Sequence, residues 1–470
     1  MAGGGEGNTW IYALVGGSIL AFVGMGLHGS HVGPGWLSAA LLAIGGLSVV
    51  FGSCESMIKS VEGLGKRLGW NEFVAGTMAG LASNIPEIVM LGFVVKANPR
   101  VAFVVVMLTL HVGAMAFGLY CGLLPRDARG AAKLPAPLVK LSTDLYACAG
   151  GMFLAMGFLM IVIHGFGPTA GTEKTPALIP SDLYMIGACL LMVEVVAVVQ
   201  LVKNYAGTKI PTAQDTALAE VCVQEGSALA ATGVAKAIGE VTPAALESES
   251  APEPTAEAEA SAPSEGEAAA AEKPPAPPEE SAPANTPHLA PDHDCDPTTE
   301  EEIPSWGQIA FYGLVGIGTS VIGGHAVGEF AEILVEALTE RGVSEMVGAI
   351  ILSVFACAGV FAMIGMAHAK GKFDIALSGA SGAVSQVPFV VLPIVLFLIA
   401  VFNQTGVTPP LPDGGALAID LETTSVVIFG FPTMLMMWKS IQDDGQINWV
   451  ETASMMSLFG VILYFLAVHG

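Results

Sequence analysis

Residues 52–87 read GSCESMIKSVEGLGKRLGWNEFVAGTMAGLASNIPE, and residues 325–360 read HAVGEFAEILVEALTERGVSEMVGAIILSVFACAGV. Laid over each other without a gap, at an offset of 273, they set Gly69 on Gly342, Glu72 on Glu345, Val74 on Val347 and Gly76 on Ala349. Each stretch runs from the amphipathic end of a helix, through a Gly turn, into an apolar helix. An apolar chain built from two copies of one unit is a common plan among secondary transporters, whose substrate site lies where the copies meet. The same register sets Glu87 opposite Val360. The copies therefore share a shape but not a charge.

Composition sets the chain among membrane proteins. Hydrophobic residues make up 53%, charged residues only 13%, and the mean hydropathy is +0.65. The formal net charge of −24 is unevenly spread: residues 204–303 hold 20 of the 42 acidic side chains, with Lys209, Lys236 and Lys273 the only basic ones there. The acidity thus resides in one segment, and nothing in the chain suits a nucleic-acid partner. The opening MAGGGEGNTW lacks the basic stretch of a secretory signal, so the first apolar run is expected to stay as a helix. The seven cysteines are scattered, with no zinc-type spacing, and a disulfide framework is not expected. No constellation of an enzyme's catalytic residues stands out.

About 20 apolar residues are needed to cross a bilayer as a helix. Eleven candidates meet that need: 10–27, 37–58, 72–97, 101–123, 143–164, 182–203, 306–328, 345–369, 374–402, 423–438 and 448–468. The helices at 37–58 and 306–328 are expected to run on as amphipathic ends, 54–69 and 325–341. The first span has no partner in the repeat, which leaves five and five. The fold class follows: an all-α polytopic membrane protein of two five-helix repeats plus one extra N-terminal transmembrane helix. An odd number of crossings per repeat inverts one relative to the other. The expected domains are 1–36 for the extra helix and loop, 37–203 for the first repeat, 204–303 for the linker and 304–470 for the second repeat. Placing the linker in the cytoplasm puts fourteen basic side chains inside and four, Lys96, Arg100, Lys174 and Arg341, outside. The chain is then an integral protein of the cell or inner membrane.

Residues 240–303, rich in Ala, Pro, Glu and Ser, lack the apolar material for a core and are expected to be a disordered tether. A short helix within 211–238 is compatible with its Ala and Leu. Asp292-His293-Asp294-Cys295-Asp296 lacks the Gly turn and terminal Glu of a calcium loop and reads as solvated linker.

The chemistry gathers at Ala82-Ser83-Asn84-Ile85-Pro86-Glu87. Pro86 removes a backbone donor, which is expected to perturb the helix and free carbonyl oxygens at membrane depth. Ser83 and Asn84 add neutral oxygens and Glu87 a formal charge, which together suit a hard cation. An ionisable side chain inside a bilayer is costly and marks a functional site by default. The alternative is a Glu87 at a wet interface or in a structural hydrogen bond. Thr109 and His111 lie in the following helix. His111 either couples a proton to Glu87 or packs between helices as a satisfied imidazole. Thr109 is either an ion ligand or a packing hydroxyl. Glu194, amid apolar neighbours, is a secondary candidate that either pairs with a polar group or reaches a wet cavity. Glu329, Glu332 and Glu336 share one helical face and read as a solvated amphipathic end or an acidic mouth.

The segment 82–87 resembles the Gly-Thr-Ser-Leu-Pro-Glu signature of the sodium/calcium exchanger (cation/calcium antiporter) superfamily. The preceding KRLGWNEFVAGTMAGLA resembles that family's approach to the motif, and Ala369-Lys370-Gly371-Lys372-Phe373-Asp374-Ile375-Ala376-Leu377 the stretch after its second signature. The resemblance implies two inverted five-helix units, a cytoplasmic connector and a cation site with Glu87 as the metal-binding carboxylate, flanked by Ser83, Asn84, Thr109 and His111. It implies a secondary active antiporter with no cofactor, exchanging calcium. The sequence departs from that pattern in its second half, where Phe355-Ala356-Cys357-Ala358-Gly359-Val360 stands in place of the second signature. Gly379, Gly382, Ala383 and Val384 likewise occupy a stretch where the family carries Asn-rich ligands. A lone carboxylate suits sodium, potassium or a proton better than a divalent ion. The alternative class is a non-transporting membrane protein, a sensor or a subunit of a larger complex. The partners expected are the lipid bilayer and inorganic cations, with protein partners open.

Overall fold

The computed structural model describes residues 9–31, 33–70, 72–127, 129–167, 175–205, 303–369, 371, 373–411, 414–442 and 445–469. The expected tether at 240–303, the short helix within 211–238 and the 292–296 acidic cluster lie outside them. The chain divides into two units, one of residues 1–218 with 303–470 and another of 219–302. The described residues belong to the first.

Among the described residues, eleven stretches of helix are long and apolar enough to cross a membrane, at the positions expected from the apolar runs. In order they are α1 (Thr9–Ser30), α2 (Gly35–Leu68), α3 (Glu72–Ala97), α4 (Pro99–Leu123), α5 (Ala136–Phe166), α6 (Pro180–Tyr205), α7 (Trp306–Glu340), α8 (Glu345–Ala356) with α9 (Ala358–Ala369), α10 (Phe373–Gln386) with α11 (Leu392–Gln404), α12 (Leu421–Gln442) and α13 (Trp449–His469). Short strands β1 (Ala132–Lys133), β2 (Ala177–Leu178), β3 (Leu417–Ala418) and β4 (Gln446–Ile447) lie in the loops. The chain is an integral membrane protein.

The pairing of the loop strands fixes the relation between the halves. β1 precedes the fourth helix of the first repeat, yet it pairs with β4, which precedes the fifth helix of the second. β2 precedes the fifth helix of the first repeat and pairs with β3, before the fourth of the second. Successive loops of a membrane bundle lie on opposite faces. A loop of one repeat can therefore meet the next loop along in the other only if one repeat is upside down. The two five-helix repeats are inverted, and α1 stands outside them.

The Gly turns of the opening comparison prove structurally equivalent. Gly69 ends α2 at φ 68° and Gly342 follows α7 at φ 70°. In both, an amide past the turn reaches back to the last helical carbonyls: Trp70 N to Gly65 O at 2.9 Å, and Val343 N to Leu338 O at 3.0 Å. The two helices so ended have 34 and 35 residues. At about 1.5 Å per residue they exceed the roughly 30 Å of bilayer hydrocarbon, so they tilt or project from it.

These long helices pack along a seam of small residues and hydroxyls. Ser53 donates to the Gly316 carbonyl at 2.6 Å, Ser56 to that of Tyr312 at 2.8 Å and Ser60 to that of Ile309 at 2.8 Å. Such bonds and close backbone approach replace the hydrophobic drive that lipid cannot supply. Around the seam, α4 is 89% buried along its apolar window and α10–α11 78%, whereas α1, α6 and α13 are 28% buried and turn apolar side chains outward. Arg67 at the end of α2 donates to the Pro304 carbonyl at 2.9 Å, and Tyr205 at the end of α6 lies edge-on to Phe73. The Gly69 end of α2, the start of α3 and both flanks of residues 206–302 therefore share one face, called here the linker face.

Two helical features differ from the reading of the residues. α3 runs through Pro86 without a break. The break falls instead in the second repeat, at Cys357 between α8 and α9, where Cys357 stands at the position of Asn84. Further on, a π-turn at Val387–Val391, carrying Pro388, separates α10 from α11.

Candidate cation site

Ser83, Asn84 and Glu87 lie within one turn of α3, and all are buried. The Glu87 carboxylate is 4% exposed, and its Oε1 has no hydrogen-bond partner among the described residues. The Thr109 hydroxyl of α4 approaches that carboxylate, and it also donates to the Val106 carbonyl at 2.7 Å. Cys54 of α2 and Cys357 at the α8–α9 joint lie within electrostatic range of Glu87. Their thiols face carbonyls of the same cluster: Cys54 Sγ that of Ser83 at 3.7 Å, and Cys357 Sγ that of Thr109 at 3.7 Å. A single charge is thus enclosed by α2, α3, α4 and the broken helix of the opposite repeat.

Close packing at the joint accounts for the residue that stands in register with Pro86. Gly359 stands at the register position of Pro86, and a Cβ there would run into the Cys54 thiol and come within 3.6 Å of the Ser83 carbonyl. A glycine lets the second repeat's backbone reach the first repeat's site, where neither a proline ring nor any larger side chain fits. Val360, in register with Glu87, is 5% exposed and brings no charge.

Asn84 is held from across the repeat. Its Nδ2 donates to Gln386 Oε1 at 2.8 Å, and Gln386 Nε2 donates to the Thr77 carbonyl at 3.3 Å. Gln386 is the polar contribution of the second repeat, which the reading of the motifs missed. Its signal was present as the one amide in a run of small and apolar residues, FDIALSGASGAVSQVPFVV, just before Pro388. Ser381 extends the polar lining, meeting Ser142 at 2.8 Å and the Tyr146 hydroxyl at 2.7 Å.

His111 is fully buried, but the structure does not bring it to Glu87. Its Nδ1 meets the Met107 carbonyl at 2.7 Å, and its Nε2 is buried with no hydrogen-bond partner among the described residues. Glu194 of α6 is 7% exposed, and its Oε2 has no hydrogen-bond partner among the described residues. It lines a small pocket with Ser142, Ser378, Ser385 and Gln386, with about 20 Å³ of room for water. Glu329 sits with His325 at 3.3 Å, while Glu332 and Glu336 are exposed, as expected of a solvated helix end.

Among the described residues no group of three or more His, Cys, Asp or Glu side chains is placed to hold a metal ion. A cation at Glu87 would be held by one carboxylate with hydroxyl, carbonyl and amide oxygens, which suits a hard ion. On the face opposite the linker face, Arg100 ties three carboxylates from two segments, that of Glu345 at 3.0 Å at the start of α8 and those of Asp420 at 2.6 Å and Glu422 at the start of α12. That knot joins the starts of α4, α8 and α12.

Comparison with known proteins comes to bear on this geometry. A family model described as sodium/calcium exchanger protein matches residues 309–468, the half that lacks the carboxylate. No curated protein matches the chain in sequence. Among solved structures, an H+/Ca2+ exchanger, CAX, is similar over 97% of this chain and 91% of its own, with a TM-score of 0.56 at 10% identity. The selenium-substituted Ca2+/H+ antiporter protein YfkE is similar over 98% of this chain and 99% of its own, with a TM-score of 0.51 at 12% identity. At these identities the likeness is one of fold. Residues 309–468 carry the sequence pattern of the sodium/calcium exchanger family, and the described residues share the fold of these exchanger structures.

Proposed function

We propose that the protein is a secondary active cation antiporter whose transported ion binds at Glu87, with Ser83, Asn84 and Thr109 supplying neutral oxygens. The observation that supports this best is the Glu87 carboxylate itself. It is buried at membrane depth with one oxygen unpartnered, inside a box built by both repeats. An ionisable group so placed is expensive and is accounted for by a ligand that shares its charge. Transport would alternate access to this site from the two faces.

The domain plan belongs to the same reading. Residues 37–203 and 304–470 are the two functional halves, 1–36 an added helix and 204–303 a cytoplasmic connector. Fourteen of eighteen basic side chains on the connector's side support that orientation. The printed descriptions of CAX and YfkE name calcium and protons. In this chain a lone carboxylate supports a proton, sodium or potassium as one exchanged ion and leaves calcium as the family's substrate. His111 is read as a packing histidine, because its Nδ1 is bonded to the Met107 carbonyl of its own helix.

Flux of calcium, sodium, potassium and protons into proteoliposomes tests the proposal. Counterflow of two of these ions, lost in Glu87→Gln, is the expected result. The competing reading, a non-transporting sensor or subunit, rests on Val360 and the uncharged second signature. Absence of flux under every gradient in well-folded protein would favour it.

A further inference from the structure

A second carboxylate has a free buried oxygen in a larger space. Glu55 of α2 is 8% exposed, and its Oε2 lacks a hydrogen-bond partner among the described residues. It lines a cavity of about 140 Å³ with Lys59, Glu62, Gly76, Ala79 and Met363. At about 30 Å³ per water, that volume holds an ion with part of its hydration shell. Glu62 is exposed at the linker-face end, whereas Glu55 lies two turns deeper.

The cavity and Glu87 lie along the same face of α3. Gly76, Ala79, Ser83 and Glu87 succeed one another at three- and four-residue steps along one face of α3. Met363 and Val360 do the same on α9. Glu55 is also next in sequence to Cys54, whose thiol faces the Ser83 carbonyl.

Lys59 makes this arrangement more than an acidic pair. Its ammonium sits 3.4 Å from Glu55 Oε1 and 4.9 Å from the centre of the Trp10 ring. Trp10 belongs to α1, the helix outside the repeats. Lys59 therefore bridges two partners, a carboxylate and an aromatic face, on a flexible stem that lets it give up the first and keep the second. With the ammonium on Glu55, the cavity carries one net negative charge. With it on Trp10, two carboxylates face the space with no cation between them.

We propose that this linker-face cavity is a second cation-binding site, formed by Glu55 and Glu62, in which Lys59 is a tethered cation that a partly hydrated divalent ion displaces onto Trp10. The site's place on the ion's path rests on the transport reading above; its cation binding does not. The added helix α1 acquires a role, since it supplies the ring that holds the displaced ammonium.

The test measures Mn2+ binding by calorimetry to the full chain carrying Glu87→Gln, so that the main site is removed. Lys59→Met, which keeps the stem's bulk, should tighten binding about tenfold, because the competing cation is gone. Glu55→Gln should weaken it at least tenfold, and Trp10→Leu should weaken it by a smaller factor. Glu55→Gln with Lys59→Met keeps the helix free of an unpaired charge and should bind as weakly as Glu55→Gln alone. Affinity unchanged by both Glu55→Gln and Lys59→Met overturns the proposal. A protein with no flux that still binds Mn2+ in the expected order would sink the transport reading and keep this site. A working antiporter whose Mn2+ binding ignores both residues would do the reverse.

Discussion

α3 and its counterpart α8–α9 show how one backbone plan carries two chemistries. Both follow a left-handed glycine, at Gly69 and Gly342, and both cross the protein's interior. α3 holds Ser83, Asn84, Pro86 and Glu87 and stays continuous. Its counterpart has Ala356, Cys357, Gly359 and Val360 at those positions, and it breaks at Cys357. Helix interruption and charge are therefore separable: the copy with the carboxylate is unbroken, and the copy with the break has no carboxylate. The second repeat serves the site by close approach, through Gly359, and by an amide from another helix, Gln386.

Glu87→Gln is the most severe test of this division. The amide keeps the shape and removes the only charge, so cation flux should fall by roughly two orders of magnitude or more while the protein stays folded. Unchanged flux in well-folded Glu87→Gln would remove the residue from the mechanism. Val360→Glu asks whether the quiet copy can be made to resemble its partner. A second carboxylate should shift preference from monovalent toward divalent ions, read as competition between sodium and calcium, at a cost of about 3 kcal/mol or more for an unsupported buried charge. If ion preference stays put, the two copies do not share one site.

A smaller effect is expected where the copies are tied by an amide pair. Gln386→Leu leaves the Asn84 amide without its partner and should destabilise the protein by about 1–3 kcal/mol in detergent melts. Adding Asn84→Leu should recover part of that loss, because the orphaned group is then removed as well. Simple additivity would mean the pair is not coupled. The mildest change matches the copies most directly. Gly69→Ala and Gly342→Ala should each cost about 1 kcal/mol and by similar amounts, since neither position has an atom within 4 Å of an added Cβ and only the backbone is strained. Unequal costs would show that the turns are alike in geometry but not in context.

Apolar run length made the eleven spans legible, because a bilayer demands a length that few other environments do. The inverted repeat was legible from Gly69 and Gly342, whose backbone no other residue type adopts as easily. The site was legible only as far as charge marks it. Glu87 stood out, but Gln386 sits in another helix with no fixed offset from Asn84, and only folding brings them together. The break at Cys357 had no local signature, and it falls where Gly359 brings α9 against Cys54 across the repeat boundary. Pro86 marked a break that α3 does not have. His111 carried an ambiguity that sequence could not resolve, since an imidazole facing Met107 and one facing Glu87 are spelled alike. Glu55 was hidden for a further reason: with Lys59 four residues on, it has the spacing of an ordinary surface helix pair.

The short strands in the loops bear on how the chain is assembled. β1 finds its partner at Gln446–Ile447, and β2 at Leu417–Ala418, so each waits more than two hundred residues for the strand that completes it. During synthesis the first half therefore stands in the bilayer with an unpaired strand edge on each face, open to the wrong partner until the last helices arrive. The later pairing, Ala132 with Ile447, forms only once residue 447 has been made. A truncation just before residue 446 would leave all but one of the eleven spans in place and still remove the clasp on the linker face.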